Sequence, residues 1–399
     1  MRVLIVHNRY TSRVPSGENL AVDDEVRWLR EAGIDVARHE VSNDDIVSPG
    51  ALARMRDGVE AVWSLSARRR FSRVLDDVEP DVVHVHNLFP LLTASVPAAA
   101  LRRRIPVVWT VHNFRIRCVA GTNFRDGHPC HDCRRGWKVP GVAHRCYAAS
   151  ASASALVGAS TGAFGRLARR RGITPVTISR EVANWLVATA GFARAAVRVK
   201  YNGVDGPVGD VTGPERQDHL LYLGRLSAEK GVGHLLEAWR HVESDMALHL
   251  VGDGPLVDDV RAAAAADPRI VLVGPVPSDC VAEQVLASRA LVMPSMWQEP
   301  FGRVAAEALA FGRPVITTGR GASSEIVDDA SGWVTGVDPT SLARAVDEAA
   351  GADDLVAAKG AAGRARHTAL FSPEATTATL IDIYAEAIDR AGQAGDGAG

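Results

Sequence analysis

Ala290-Leu-Val-Met-Pro-Ser-Met-Trp-Gln-Glu-Pro-Phe-Gly-Arg-Val-Ala-Ala-Glu307 joins an apolar run to a helical pattern across a Pro-Phe-Gly break. Residues 290–293 read as a buried strand that Pro294 ends, and Val304 onward reads as a helix starting at Gly302. Glu299 then stands on the loop before the helix. Glu307 lies about one and a half turns into it, at ~3.6 residues per turn. The free amides and positive dipole end of that helix open onto the same space as both acids. An anion seat flanked by two hydroxyl-accepting carboxylates suits a sugar joined to a nucleoside diphosphate.

Two segments upstream extend the pattern. Leu220-Leu-Tyr-Leu-Gly-Arg-Leu-Ser-Ala-Glu-Lys-Gly231 is a strand followed by a turn that carries Arg225 and Lys230. His249-Leu-Val-Gly-Asp-Gly-Pro255 is a second strand ending in a glycine loop. Breaking a bond between a sugar carbon and a phosphate oxygen leaves charge growing on the diphosphate, which fixed cations can hold. Arg225 offers a planar fork and Lys230 a point charge, both from one strand-to-helix turn. Two ordinary surface cations are the alternative.

In this order and spacing the segments resemble the retaining glycosyltransferases of family 4, a GT-B family. The likeness spans nearly the whole chain, strongest over residues 220–307 and looser before residue 101. It implies an α/β protein of two Rossmann-like domains whose parallel sheets face a central cleft, with a C-terminal helix crossing back. It implies a UDP- or GDP-sugar donor, retention of anomeric configuration and no catalytic metal. The acceptor hydroxyl would belong to a glycan, a lipid-linked sugar or a small molecule.

The resemblance also implies roles for residues. Glu307 matches the acid that accepts hydrogen bonds from the ribose, and Glu299 the acid near the donor sugar. Phe301, Gly302 and Arg303 match the segment whose amides meet sugar hydroxyls and phosphate. His112, at the end of a strand, matches a histidine that touches the donor sugar; a satisfied core histidine is the alternative. His84, His86 and Asn87 are weaker candidates for the acceptor side. Gly252 and Gly254 are expected to border the nucleoside, and backbone at Val273 and Gly274 to read the base. Gly17 falls where the family has a glycine-rich loop against the diphosphate. The chain departs from the family there by lacking the usual glycine pair. It departs again at Gly319-Arg-Gly, where Gly-Gly is commoner.

Strand and helix patterns alternate throughout the 399 residues, which argues for parallel sheets. Strands are expected near 2–7, 35–39, 81–86, 106–112, 175–179 and 197–202, then near 219–223, 247–251, 269–273, 290–293 and 314–317. The expected domains are residues 1–205, with a cysteine-containing insert at 115–147, and 206–372. A crossover helix at 373–390 and a disordered tail at 391–399 follow. Formal net charge is −2, but residues 1–200 hold 30 Lys+Arg against 18 Asp+Glu, and residues 201–399 hold 15 against 29. The basic half suits an anionic acceptor or membrane surface. The acidic half argues against nucleic acid as the partner.

Four of the five cysteines, Cys118, Cys130, Cys133 and Cys146, cluster within the insert. A reducing cytoplasm makes disulfides there improbable, and four thiolates can enclose a structural zinc. Cys280 stands apart as an inert helix residue. Trp63, Leu65 and Phe71 alternate with Arg68, Arg69, Arg70 and Arg73, which suits a helix lying on an anionic membrane. A solvated helix that buries Trp63 and Leu75 is the alternative. Residues 148–165 are uncharged but mostly Ala, Ser and Gly, too weakly apolar for a membrane span, so a cytoplasmic protein is expected, with peripheral attachment to the inner membrane face as a further option. Competing functions are a nucleotide-sugar epimerase, a phosphorylase (Lys is scarce for pyridoxal phosphate) and a non-catalytic binder of nucleic acid or membrane.

Overall fold

A computed structural model describes residues 1–12, 16–45, 60–133, 138–207 and 219–396. The chain divides into two compact units. The first comprises Met1–Asn123, His131–Gly203 and Thr376–Gly399, and the second Phe124–Cys130 and Val204–Ala375. The division thus falls at Gly203, two residues before the expected boundary. The insert is not of one piece either, since Phe124–Cys130 groups with the second unit. Residues 208–218 lie outside the described residues.

The first unit runs β1 (Arg2–Arg9), α1 (Gly17–Glu31), β2 (Asp35–Ser42), α2 (Leu65–Val78), β3 (Val82–Val85), α3 (Ser95–Arg102) and β4 (Val107–Val111). The hairpin β5 (Phe124–Arg125) and β6 (His128–Pro129) is antiparallel. Then come α4 (Val139–Ala143), α5 (Ala151–Leu167), β7 (Ile173–Thr177), α6 (Arg180–Ala190) and β8 (Arg198–Val199). Strands β3 and β4 are valine-rich and buried at every residue. Such runs belong to parallel strands covered on both faces. Side chains of Ser16, Ser64, Ser150 and Ser179 accept backbone N–H groups at the starts of α1, α2, α5 and α6. The six-stranded sheet has the order β2-β1-β3-β4-β7-β8. Its direction of growth reverses between β1 and β3, so a crevice opens at the carboxyl ends of those strands.

The second unit runs β9 (His219–Leu223), α7 (Val232–Trp239), β10 (Ala247–Val251), α8 (Val257–Ala266), β11 (Ile270–Gly274), α9 (Val281–Ala287) and β12 (Ala290–Met293). It continues with α10 (Arg303–Ala310), β13 (Val315–Thr317), α11 (Ser323–Ile326), β14 (Gly332–Val334), α12 (Pro339–Gly351) and α13 (Asp353–Leu370). Its six parallel strands are ordered β11-β10-β9-β12-β13-β14. Here the reversal lies between β9 and β12, the two strands that lead to Arg225, Lys230 and Glu299. Leu220, Trp239, Leu248, Val292 and Ile316 fill the core beneath them. The two-sheet α/β architecture is of the GT-B class.

Helix α14 (Pro373–Asp396) returns to the first unit, where Leu380, Ile383, Tyr384 and Ala387 pack with Val3, Ile5 and Val22. Residues 391–396 continue this helix and are not the disordered tail that their composition suggests. Ala and Gln extend a helix at little cost, and no proline stops it. Residues 397–399 lie outside the described residues. Among the described residues no helix is long and apolar enough to cross a membrane.

Candidate active site

Chain reversal at β9/β12 assembles one group of residues in the second unit. Lys230 Nζ lies 2.9 and 3.1 Å from the two carboxylate oxygens of Glu299. Glu299 is only 5% exposed and also accepts from Ser295 Oγ at 3.0 Å and Trp297 Nε1 at 2.9 Å. Lys230 in turn sits 4.9 Å above the Trp297 ring. Glu299 therefore serves as the clamp that sets the Lys230 ammonium. Tyr222 Oη donates to the Arg225 carbonyl at 2.7 Å, fixing the turn, and the Arg225 guanidinium is exposed.

Helix α10 opens at Gly302, whose φ of 93° is the left-handed conformation that glycine tolerates. Phe301 is buried and stacks edge-on with Phe371 at 5.8 Å, so only its backbone is available to a ligand. Arg303 Nε donates to Glu307 Oε1 at 2.8 Å across one helical turn. The expected ribose acid is thus held by a neighbouring cation.

The glycines of this region owe their identity to close backbone approaches. A Cβ at Gly231 would lie 1.8 Å from the Pro294 carbonyl oxygen, and one at Gly252 1.9 Å from that of Gly224. Gly254 similarly faces the Leu226 carbonyl. Gly321 bridges to Glu299, and a Cβ there would meet the Glu299 amide at 2.3 Å. The departure from Gly-Gly thus keeps the glycine that lets this loop pack on Glu299. Gly252 N donates to Gly274 O at 2.9 Å, which brings Val273 and Gly274 to the same sheet edge.

The first unit holds a second group, at the ends of β3 and β4. Glu18, His86, Asn87, His112, Asn113 and Arg115 are among the residues lining a cavity there. Gly17, by contrast, is the first residue of α1 and has nothing within 4 Å of where a Cβ would stand. Tyr10 Oη donates to Glu18 Oε2 at 3.1 Å. Burial pushes the Glu18 carboxyl up to about 7, against the lowering effects of Tyr10, Arg115 and Asn113.

Behind the cavity lies a buried polar network that the sequence reading did not anticipate. His86 Nδ1 is 2.9 Å from His112 Nε2. Glu25 Oε1 lies 3.3 Å from His86 Nε2 and 3.1 Å from His84 Nδ1. Glu25 Oε2 accepts from Lys200 Nζ at 2.6 Å. His84 Nδ1 also contacts Tyr384 Oη at 2.6 Å, and His84 Nε2 contacts Thr110 Oγ1 at 2.7 Å. Burial alone would raise the Glu25 pKa, but Lys200 and the two imidazoles hold it well below the usual carboxylate range. Desolvation lowers His86 to about 3 and His112 well below the ordinary histidine value, so both are neutral near pH 7. The available signal was a glutamate within the buried stripe Ala21, Val22, Glu25, Val26, Trp28, Leu29 of α1.

The four insert cysteines are all half-buried. Lys138, whose pKa burial lowers to about 8, feels both Cys118 and Cys133. Among the described residues the one group of three or more ligand atoms within 4.8 Å of one another is Glu25, His84 and His86. In α2, Phe71 and Leu75 are buried, as a core-facing helix requires. Trp63 and Leu65 are 38% and 51% exposed, so the alternative of a buried Trp63 is not what the structure shows.

Residues 19–206 match the model of Glycosyltransferase Family 4, and residues 217–351 that of Glycosyl transferases group 1. A D-inositol 3-phosphate glycosyltransferase of Xylanimonas cellulosilytica is 30% identical over 51% of this chain and 48% of its own length. A 2-deoxystreptamine glucosyltransferase of Streptomyces kanamyceticus is 26% identical over 77% of this chain and 79% of its own. The chain spans about half the length of several curated relatives it matches, 48–59% in three of them. An Anabaena protein solved with UDP-glucose shares the fold with a TM-score of 0.68 at 15% identity, over 97% of this chain and 100% of that one. With residues 19–206 and 217–351 each matched by a glycosyltransferase family model, the chain belongs to the group 1, family 4 glycosyltransferases.

Proposed function

We propose that the protein is a retaining glycosyltransferase that moves a sugar from a UDP- or GDP-sugar to an acceptor hydroxyl without a catalytic metal. The observation that carries this is Lys230, clamped by Glu299 at the β9/β12 reversal beside the N-terminus of α10. An ammonium, the Arg225 guanidinium and helix amides at one strand edge suit a diphosphate whose charge grows as the sugar leaves. Glu307 then grips the ribose. Gly252, Gly254, Val273 and Gly274 border the nucleoside. Glu299 attends the donor sugar, and His112 faces a sugar hydroxyl at the cavity of the first unit.

The acceptor lies against the cavity of the first unit, where Glu18, Asn87, Asn113 and Arg115 can exchange hydrogen bonds with its hydroxyls. Exposed Trp63 and Leu65 beside Arg69, Arg70 and Arg73 support contact with an anionic bilayer, and hence a lipid-linked acceptor. Calorimetric titration with UDP, GDP and their sugars tests the donor site. Uptake of one diphosphate that is lost in Arg225→Ala and Lys230→Ala supports the proposal, and unchanged uptake in both variants refutes it. NMR of the product reports the anomer, and transfer that persists in EDTA reports metal independence.

A further inference from the structure

A neutral imidazole donates from one nitrogen and accepts at the other, and its partners decide which. Three contacts settle this choice in the buried network. Glu25 is an ionised carboxylate, so both of its oxygens can only accept. Its Oε2 is taken by Lys200. Its Oε1 lies 3.1 Å from His84 Nδ1 and 3.3 Å from His86 Nε2, both close contacts short of hydrogen-bond geometry, and His86 Nε2 has no hydrogen-bond partner elsewhere. A nitrogen lone pair aimed at that oxygen would be repelled in a medium of low dielectric, whereas an N–H is attracted. His86 therefore carries its proton on Nε2 and accepts at Nδ1. The atom facing Nδ1 is His112 Nε2, at 2.9 Å. It must be an N–H.

We infer that Glu25 and His86 are positioning residues that fix the tautomer of His112, leaving its Nδ1 as a hydrogen-bond acceptor at the cavity. Every element around the network takes part. Helix α1 supplies Glu25, β3 supplies His84, the residue just after that strand is His86, β4 supplies Thr110, the segment after β8 supplies Lys200, and α14 supplies Tyr384. His7 of β1 is the remaining titratable neighbour, and its Nε2 is paired with Asn19 Oδ1 at 2.9 Å rather than with this chain of contacts. The chemical consequence rests on the proposed transfer reaction: His112 would receive a hydrogen bond from a sugar hydroxyl rather than offer one, which selects a ligand that donates at that point.

Two-bond proton–nitrogen correlation spectra of the full-length protein, labelled at histidine nitrogens, test the inference. Both His86 and His112 are expected as neutral rings protonated at Nε2. In Glu25→Gln the new amide can donate to His86 Nε2, so both rings should switch to Nδ1–H. Transfer should then fall about tenfold or more. UDP uptake, which depends on the second unit, should stay within about twofold. If Glu25→Gln is too unstable beside Lys200, the Glu25→Gln/Lys200→Met pair carries the same experiment. A wild-type His112 protonated at Nδ1 overturns the inference, as does a folded glutamine variant with unchanged tautomers. A wild type that takes up neither UDP nor GDP would instead overturn the functional proposal, and the spectra would still decide the tautomers.

Discussion

Lys230 and Glu299 form a two-point contact in which one ammonium spans both oxygens of a nearly buried carboxylate. Ser295 and Trp297 hold the same carboxylate, so it stays satisfied if the lysine is removed. Lys230→Ala should therefore leave a folded protein, destabilised by about 1–2 kcal/mol. Its kcat/KM should fall about 10²–10³-fold. Parallel urea unfolding and steady-state kinetics separate the two effects. Equal losses in folded fraction and rate would mean that the lysine is merely structural.

Glycine substitutions should split into two classes. Gly231→Ala and Gly252→Ala place a Cβ under 2 Å from a carbonyl oxygen, at φ of 77° and 141°. Each should cost about 3 kcal/mol or more in urea unfolding. Gly17→Ala meets no neighbour and should change stability by less than about 0.5 kcal/mol. If Gly17→Ala nonetheless abolishes transfer, a ligand passes close to that backbone.

Glu18 should make the protein lose stability as pH rises. Its pKa, about 7 when folded, lies above the ordinary carboxyl value of 4.5. The folded state thus binds the extra proton between those limits. Its stabilising contribution is complete below pH 4.5 and is lost by the time pH has risen through 7. Glu18→Gln should remove that slope and be about 1–2 kcal/mol more stable than wild type at pH 8. Urea midpoints at pH 5 and pH 8 provide the check.

Cutting one member of the buried Glu25–Lys200 pair should be far worse than replacing both. Glu25→Ala or Lys200→Ala leaves a lone buried charge, at about 3–5 kcal/mol. Glu25→Leu/Lys200→Met should lose much less. A double-mutant cycle measured by calorimetry reads the coupling directly, and near-additive losses would show that the pair is not coupled.

Zinc content distinguishes thiol arrangements. If Cys118, Cys130, Cys133 and Cys146 enclose a structural zinc, the purified protein should carry one equivalent, and under half an equivalent after mild purification would end that reading. A full equivalent in atomic absorption would mean that the insert draws the four together.

The alternation of strand and helix was legible because valine-rich runs such as residues 82–85 and 107–111 have no amphipathic alternative. The placement of Arg225, Lys230 and Glu299 on loops after strands, and of Glu307 inside the helix that follows, was legible too, since glycine or proline marks each break. Three-residue β14 was not, because Gly332-Trp-Val334 offers only two strand-forming side chains. Nor was the Glu25 network, whose members lie up to 300 positions apart in sequence and meet only when α1, β3, β4 and α14 close on one another. Even the sign of the Gly319-Arg-Gly departure could be judged only from the approach of Gly321 to the Glu299 amide.

Tyr384 carries a consequence for synthesis. Its hydroxyl completes the His84 environment, and its helix fills a gap among Val3, Ile5 and Val22. On the ribosome, the amino-terminal half must therefore wait, with part of its interior open to water, until everything through residue 384 has emerged. A fragment ending at residue 203 should bind the dye ANS and aggregate. Adding a peptide of residues 373–396 in trans should suppress both.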